Sequence, residues 1–200
     1  QPCPDAGRAA VRIIISPAKQ MREDVDSLEP RSLPVFLDRA ERLRDHISGL
    51  SFEEQKRLWA CNDRIAKENR ERFLDMDLRR GLTPAILSYD GIQYKYMAPS
   101  VFETGELSYI EEHLRILSGF YGVLRPMDGV RPYRLEMQAR ASVDGYKDLY
   151  DFWGRSLYDE VMDESRIIIN LASKEYSRCI ERYIGPEDRY ISCIFGELSG

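Results

Sequence analysis

Two hundred residues, 43% hydrophobic and 32% charged, describe a globular chain long enough to bury its own core. A formal net charge of -5 excludes a global basic field for nucleic acid, and the early apolar run Val11–Ile15 is too short to cross a membrane or form a signal-peptide core. Four scattered cysteines (Cys3, Cys61, Cys179 and Cys193), without CxxC or zinc-like spacing, suit free thiols in a reducing cytoplasm rather than a disulfide framework.

Residues 1–10 have no periodicity and read as a disordered leader or cloning remnant, which makes 11–200 the domain. VRIIIS (Val11–Ser16) is a short β-branched run that predicts a buried strand, stopped by Pro17. Leu33–Leu50 sets Val35, Phe36, Leu37, Ala40, Leu43 and Ile47 at helical spacing and ends near Gly49. Ser51-Phe-Glu-Glu54 is a capping box, and it opens a helix that runs to about Met76 with a break near Asn62. After a turn at Gly81–Pro84, AILSYDG (Ala85–Gly91) reads as a strand. A short helix at Pro99–Glu103 precedes a longer one over Ser108–Leu117, boxed by Ser108 and Glu111.

Further on, Leu149–Met162 is an amphipathic helix and RIIINLA (Arg166–Ala172) another apolar strand. Ser173 caps a helix through Tyr183, and RYISCIF (Arg189–Phe195) is the last strand. Cys179 is expected to face the core from its helix, and Cys193 from its strand. GELSG at the end reads as a hairpin turn lacking its return strand. Strands distributed among helices predict an α+β chain: a single compact mixed α/β domain with a central sheet.

Two of these strands run into polar clusters. Ile13-Ile-Ile-Ser16 leads to Pro17-Ala-Lys19, and Ile167-Ile-Ile-Asn170 leads to Leu171-Ala-Ser-Lys-Glu175. Ligands of open α/β sheets gather outside the carboxyl ends of parallel strands, so Ser16, Lys19, Asn170, Ser173 and Lys174 are candidates for one shared site. Ordinary capping by Ser173 is the plainer reading. Between them lies LSGFYGVLRPMDGVRPYRLEM (Leu117–Met137). Read as a helix end, a tight turn over Gly119, Phe120, Tyr121 and Gly122, and a further element, it is similar to a helix-hairpin-helix. Such a turn offers backbone amides to a phosphate; a packing turn is the alternative.

His113–Arg140 also carries five arginines, Arg125, Arg131 and Arg134 among them, against Asp128 and Glu136. That basic island in an acidic chain suits phosphate contacts. Asp148, Tyr150, Asp151 and Trp153 of KDLYDFW fit a half-buried helix better than a cleft. His46 and His113 are isolated, and no metal, P-loop, GxGxxG or GxSxG pattern is present, so neither metal nor cofactor is expected.

IIISPAK (Ile13–Lys19), LRILSGFYGVLRPMD (Leu114–Asp128), PYRLEM (Pro132–Met137), KDLYDFWG (Lys147–Gly154) and IINLASKEY (Ile168–Tyr176) resemble, in order, the YaaA family of bacterial peroxide-stress proteins. The resemblance implies a mixed α/β fold with a positively charged cleft and a helix-hairpin-helix-like element. It implies binding of double-stranded DNA and a cytoplasmic role in limiting damage by peroxide and iron. It further implies a strand and a basic helical segment beyond Gly200. Carried onto this chain, the hairpin is Leu117–Arg125, and Lys19, Arg134, Lys147 and Lys174 are the cleft cations chosen on charge and motif position. A monomer that holds the DNA backbone is the expectation. The competing class is an enzyme acting on a nucleotide or damaged DNA, with Glu136 or Glu175 as general base and Lys19 or Arg134 as anion clamp.

Overall fold

A computed structural model describes residues 11–193; the readings of residues 1–10 as a leader and of GELSG as a hairpin turn fall outside them. Strand β1 (Arg12–Ile15) is the first apolar run, and β2 (Gln20–Met21) follows the SPAK bend. Three helices come next: α1 (Leu37–Gly49), α2 (Phe52–Trp59) and α3 (Asp63–Leu74). α1 buries Leu37, Ala40, Leu43 and Ile47, the stripe that its periodicity predicts. The capping box of α2 is formed, with Glu54 N–H donating to Ser51 Oγ and Ser51 N–H donating to the Glu54 carboxylate. Ala60 in the left-handed region ends α2, and the Asn62 carboxamide restarts the chain as α3 by accepting from Ile65 N–H at 3.0 Å. The break near Asn62 is therefore real.

The next stretch corrects two expectations. β3 (Thr83–Pro84) leads into α4 (Ala85–Ser88), and only Tyr89–Asp90, β4, is extended. AILS is thus one helical turn, its first amides donating to Asp128 O and Pro126 O across the core. After α5 (Ile92–Met97) and a 3-10 turn at Pro99–Val101, helix α6 covers Thr104–His113, four residues earlier than predicted, boxed by Glu103 and Glu106 rather than Ser108 and Glu111. Leu114–Ser118 then forms strand β5, not the end of a helix. Leu114 and Leu117 at i, i+3 imitate a helical stripe. Every residue of LRILS is buried, however, because β5 lies between two neighbours with both faces covered.

β6 (Gly122–Leu124) folds back antiparallel on β5, and β7 (Gly129–Val130) pairs with β3. The Gly119–Gly122 turn therefore joins two strands: it is a β-hairpin, not a helix-hairpin-helix. The predicted Leu149–Met162 helix is two, α7 (Leu149–Trp153) and α8 (Ser156–Val161), interrupted at Gly154. β8 (Ile167–Asn170), α9 (Lys174–Glu181) and β9 (Arg189–Ser192) complete the order. Cys179 is buried as predicted, but Cys193, just past β9, is exposed.

The architecture is mixed α/β. Its central sheet has the order β6-β5-β1-β8-β9, parallel except for β6, with two small ladders, β2-β4 and β3-β7, beside it. The chain leaves β1 for β5 on one side and later returns to β8 on the other. Strand order thus reverses between β1 and β8, and a crevice opens at their carboxyl ends. Among the described residues, no helix is long and apolar enough to cross a membrane.

Candidate functional site

At that reversal the two polar motifs meet. Leu171 N–H donates to Ile14 O at 2.9 Å, so SPAK and LASKE leave the sheet side by side. Ser16 Oγ accepts from Ser173 N–H at 2.8 Å and lies 3.1 Å from Ser173 Oγ. Ser173 precedes α9 as predicted, but its hydroxyl makes no cap bond within the helix. Asn170 sits beneath, not in, the crevice. Its amide donates to Ser192 Oγ at 2.9 Å and its carbonyl accepts from Ala172 N–H at 2.8 Å, which ties the ends of β8 and β9 together.

A third segment, Tyr133–Met137, closes the crevice, and the GFYG turn sets its height. Gly119 has no side chain to hold Leu135 off: a Cβ there would lie 2.5 Å from Leu135 O. Trp153 Nε1–H donates to Gly119 O at 3.0 Å, and Phe120 stacks on Tyr133 with centroids 4.9 Å apart. Phe120 and Tyr121 are fully buried, so this turn is a platform and offers its aromatic faces to no ligand. Gly122 (φ +80°) packs against Trp153, Leu157 and Phe36.

Beneath the platform, the Tyr133 hydroxyl lies 2.7 Å from Tyr89 Oη and 2.5 Å from Ser118 Oγ, and Ser118 Oγ accepts from Tyr121 N–H at 2.9 Å. Burial pushes the Tyr133 phenol up to about 12, so it stays a neutral donor. Tyr133→Phe leaves two buried hydroxyls short of a partner and is expected to cost about 1–3 kcal/mol. Urea unfolding with an unchanged m-value checks this; an unaltered midpoint would refute the network's importance.

The resulting pocket, about 200 Å³, is walled by Ser16–Lys19, Tyr133–Glu136, Ser173, Glu175 and Tyr176. Lys19 Nζ pairs with Glu136 at 2.9 Å. Arg134 donates from Nε to Trp59 O at 3.3 Å. Glu175 accepts from Gln138 N–H at 3.2 Å, yet burial, with the Glu136 charge adding to it, raises its carboxyl above the ordinary value. Such a carboxyl sets the sign of a pH effect. The folded state binds the Glu175 proton more tightly than the unfolded chain, so its contribution to stability is complete below pH 4.5 and lost as pH rises through the raised native value. Glu175→Gln, which keeps an acceptor for Gln138, should gain on the native chain in Tm as pH increases through that window. A pH-independent difference in thermal melts would contradict this.

Two shallower depressions flank the pocket. One, about 300 Å³, shares Lys19 and Arg134 and adds Arg64, Glu68, Asn69, Arg72 and Asp90. The other is bordered by Met137–Arg140, Lys147, Asp148, Tyr150, Arg178 and Arg182. Arg178 and Arg182 lie over the Tyr150 ring, at 5.0 and 5.4 Å. Across the three, eight Lys and Arg face five carboxylates, a cationic band in a chain of net charge -5.

The site predicted from sequence is thus assembled in part. Ser16, Lys19, Arg134, Glu136, Ser173 and Glu175 share the pocket, and Lys147 borders the band. Lys174 points away to pair with Glu181. Arg125 lies at the opposite, amino end of β5, beside Asp128, and Arg131 pairs with Glu23 at 3.2 Å and donates to Gly81 O. Sequence reasoning missed Arg64, Arg72, Arg178 and Arg182. Arginines at i, i+4 or i, i+8 were the available signal, but the same spacing describes any solvated helix face. Among the described residues, no group of three His, Cys, Asp or Glu is placed to hold a metal ion. Cys179 is unsuited to peroxide sensing, because burial pushes its thiol up to about 12.

Residues 11–200 match the family model described as peroxide stress protein YaaA. Similar curated proteins, each called UPF0246 protein, come from Agathobacter rectalis (55% identity over 95% of this chain and 76% of the relative) and Lachnoclostridium phytofermentans (54%, over 95% and 74%). Another, from Pediococcus pentosaceus, is 47% identical over 94% of this chain and 75% of its own length.

Proposed function

The chain belongs to the peroxide stress protein YaaA family, and from that premise we propose that it limits oxidative damage by holding double-stranded DNA along the cationic band across the carboxyl ends of β1 and β8. The band is the observation that carries this reading: Arg134, Lys147, Arg178 and Arg182, with Arg64 and Arg72 gathered around Glu68, line the depressions beside the pocket, whereas Arg125 and Arg131 lie away from it in pairs with Asp128 and Glu23. Guanidinium groups at a surface suit phosphate oxygens, which fix position and carry no sequence. Unrelated duplexes should therefore bind with similar affinity, and log K should fall linearly with log salt. Fluorescence anisotropy over a salt series is the test; absence of binding to any duplex at low salt removes the proposal.

A second reading, chemistry on a nucleotide or damaged DNA, is favoured by the pair of carboxyls in the pocket. Burial raises the Glu175 carboxyl above its ordinary value, while Glu136 lies 2.9 Å from Lys19 Nζ. Two carboxyls in unlike environments suit acid and base roles. Release of a base or phosphate from an oxidised oligonucleotide would move this reading ahead of the first.

A further inference from the structure

The flanking depressions hold charge, but the pocket between them has different chemistry. Its walls combine flat apolar surface (Pro17, Leu135 and the rings of Tyr133 and Tyr176) with two carboxylates and two cations. Carboxylates accept from exocyclic amines, Lys and Arg donate to ring carbonyls and nitrogens, and rings and prolines cover the faces of a planar heterocycle. It is small, about 200 Å³, on the scale of a single planar ring system rather than of a duplex. The adjoining depression presents Arg134 together with Arg72, which pairs with Glu68 at 2.7 Å, and Arg64, 4.0 Å from the same carboxylate; it belongs to the same cleft, because Lys19 and Arg134 line both.

An orphaned group points to a ligand as well. Asn69, 3% exposed, borders that depression and donates from Nδ2 to Ile65 O at 2.8 Å, but its Oδ1 has no partner among the described residues. A buried acceptor left unpaired costs stability, so a donor that fills it is the natural occupant.

We propose that the cleft binds one nucleotide unit, with its base enclosed between Tyr133–Glu136 and Ser16–Lys19, its phosphate on Arg72 and Arg134, and a sugar hydroxyl or base amine on Asn69 Oδ1. The unit comes as a free nucleotide or as an unpaired residue of a strand. In the strand form the proposal rests on the DNA-holding band, which would carry the neighbouring phosphates. Enclosing a base from a duplex requires taking it out of the stack, and that is least costly where it is already unpaired.

The chain is titrated with inorganic phosphate, with the four nucleoside monophosphates, and with duplexes carrying 2-aminopurine either paired or as a single-base bulge. Nucleotides binding at least tenfold tighter than phosphate identify a free ligand. A bulged duplex binding at least tenfold tighter than the paired one, with a change in 2-aminopurine emission, identifies a base in a strand. Either result supports the proposal. Paired and bulged duplexes bound alike, without a spectral change and with nucleotides no better than phosphate, would overturn it while leaving the DNA band intact. Tight nucleotide binding without duplex binding would do the reverse. Asn69→Leu separates a ligand contact from a packing role: it should raise Tm and weaken base-dependent binding about tenfold. A lower Tm with undiminished binding removes Asn69 from the site.

Discussion

Gly119→Ala is expected to lower Tm by roughly 6–12 °C and to abolish whatever the pocket binds, although residue 119 touches no ligand. The added Cβ would sit 2.5 Å from Leu135 O, 3.0 Å from Glu136 C and 3.1 Å from Met137 N. All three are backbone atoms of the segment that closes the crevice, so no side-chain rotation relieves the contact. Overpacking a filled interior costs about 3 kcal/mol where the backbone must move. The movement lifts Arg134 and Glu136 away from Lys19 and Glu175. Gly122→Ala is the control. Its Cβ meets side-chain atoms rather than the backbone of the closing segment, Trp153 Cζ3 at 2.9 Å, Leu157 Cδ2 at 3.0 Å and Phe36 Cδ2 at 3.1 Å, and φ +80° adds about 1–2 kcal/mol of strain. It should destabilise while leaving ligand affinity intact below its melting range. Thermal melts with anisotropy titrations at a temperature where both variants are folded check the pair. A Gly119→Ala protein with native Tm would show that the segment is not seated on the turn.

The parts of this fold legible in the sequence are those governed by local physics. The stripe of α1, the capping box at Ser51 and the restart at Asn62 depend on residues within a few positions of each other. So does the equivalence of IIIS and IIIN, which brought SPAK and NLASKE to one crevice. What failed was decided at long range. LRILS carries a spacing compatible with helix, and its strand state follows from lying between β1 and β6. The same error turned a β-hairpin into a helix-hairpin-helix. It made four buried residues, Gly119 to Gly122, look like a phosphate grip, when their common property is to fill space beneath Tyr133–Met137. Charge counted along the chain misled in the same way: Arg125 and Arg134 are nine residues apart in sequence, but the strand between Ser118 and Leu114 puts Arg125 at the other end of the sheet from Arg134.

That separation gives the second large effect. Reversing Arg178 and Arg182 together to glutamate is expected to weaken duplex binding by about a hundredfold and to reduce the salt slope by about 2. Both guanidiniums lie over Tyr150 beside Lys147 and Arg140, facing outward from α9. An exposed ion pair is worth up to about 1 kcal/mol, and a reversal removes one attraction and adds a repulsion, so each site contributes about tenfold. The α9 backbone and the Glu175 carbonyl bond from Tyr150 Oη do not depend on either arginine, so the fold should survive. Arg125→Glu provides the contrast. It places a second carboxylate beside Asp128, which is almost fully buried and already held above the ordinary carboxylate range by desolvation. Its effect should be a loss of Tm, with duplex affinity and salt slope unchanged. Anisotropy titrations of the three proteins from low to high salt decide the matter. Equal losses from the double variant and from Arg125→Glu would move the DNA to the hairpin's outer edge. Native affinity in the double variant would show that the band on α7 and α9 holds no phosphate.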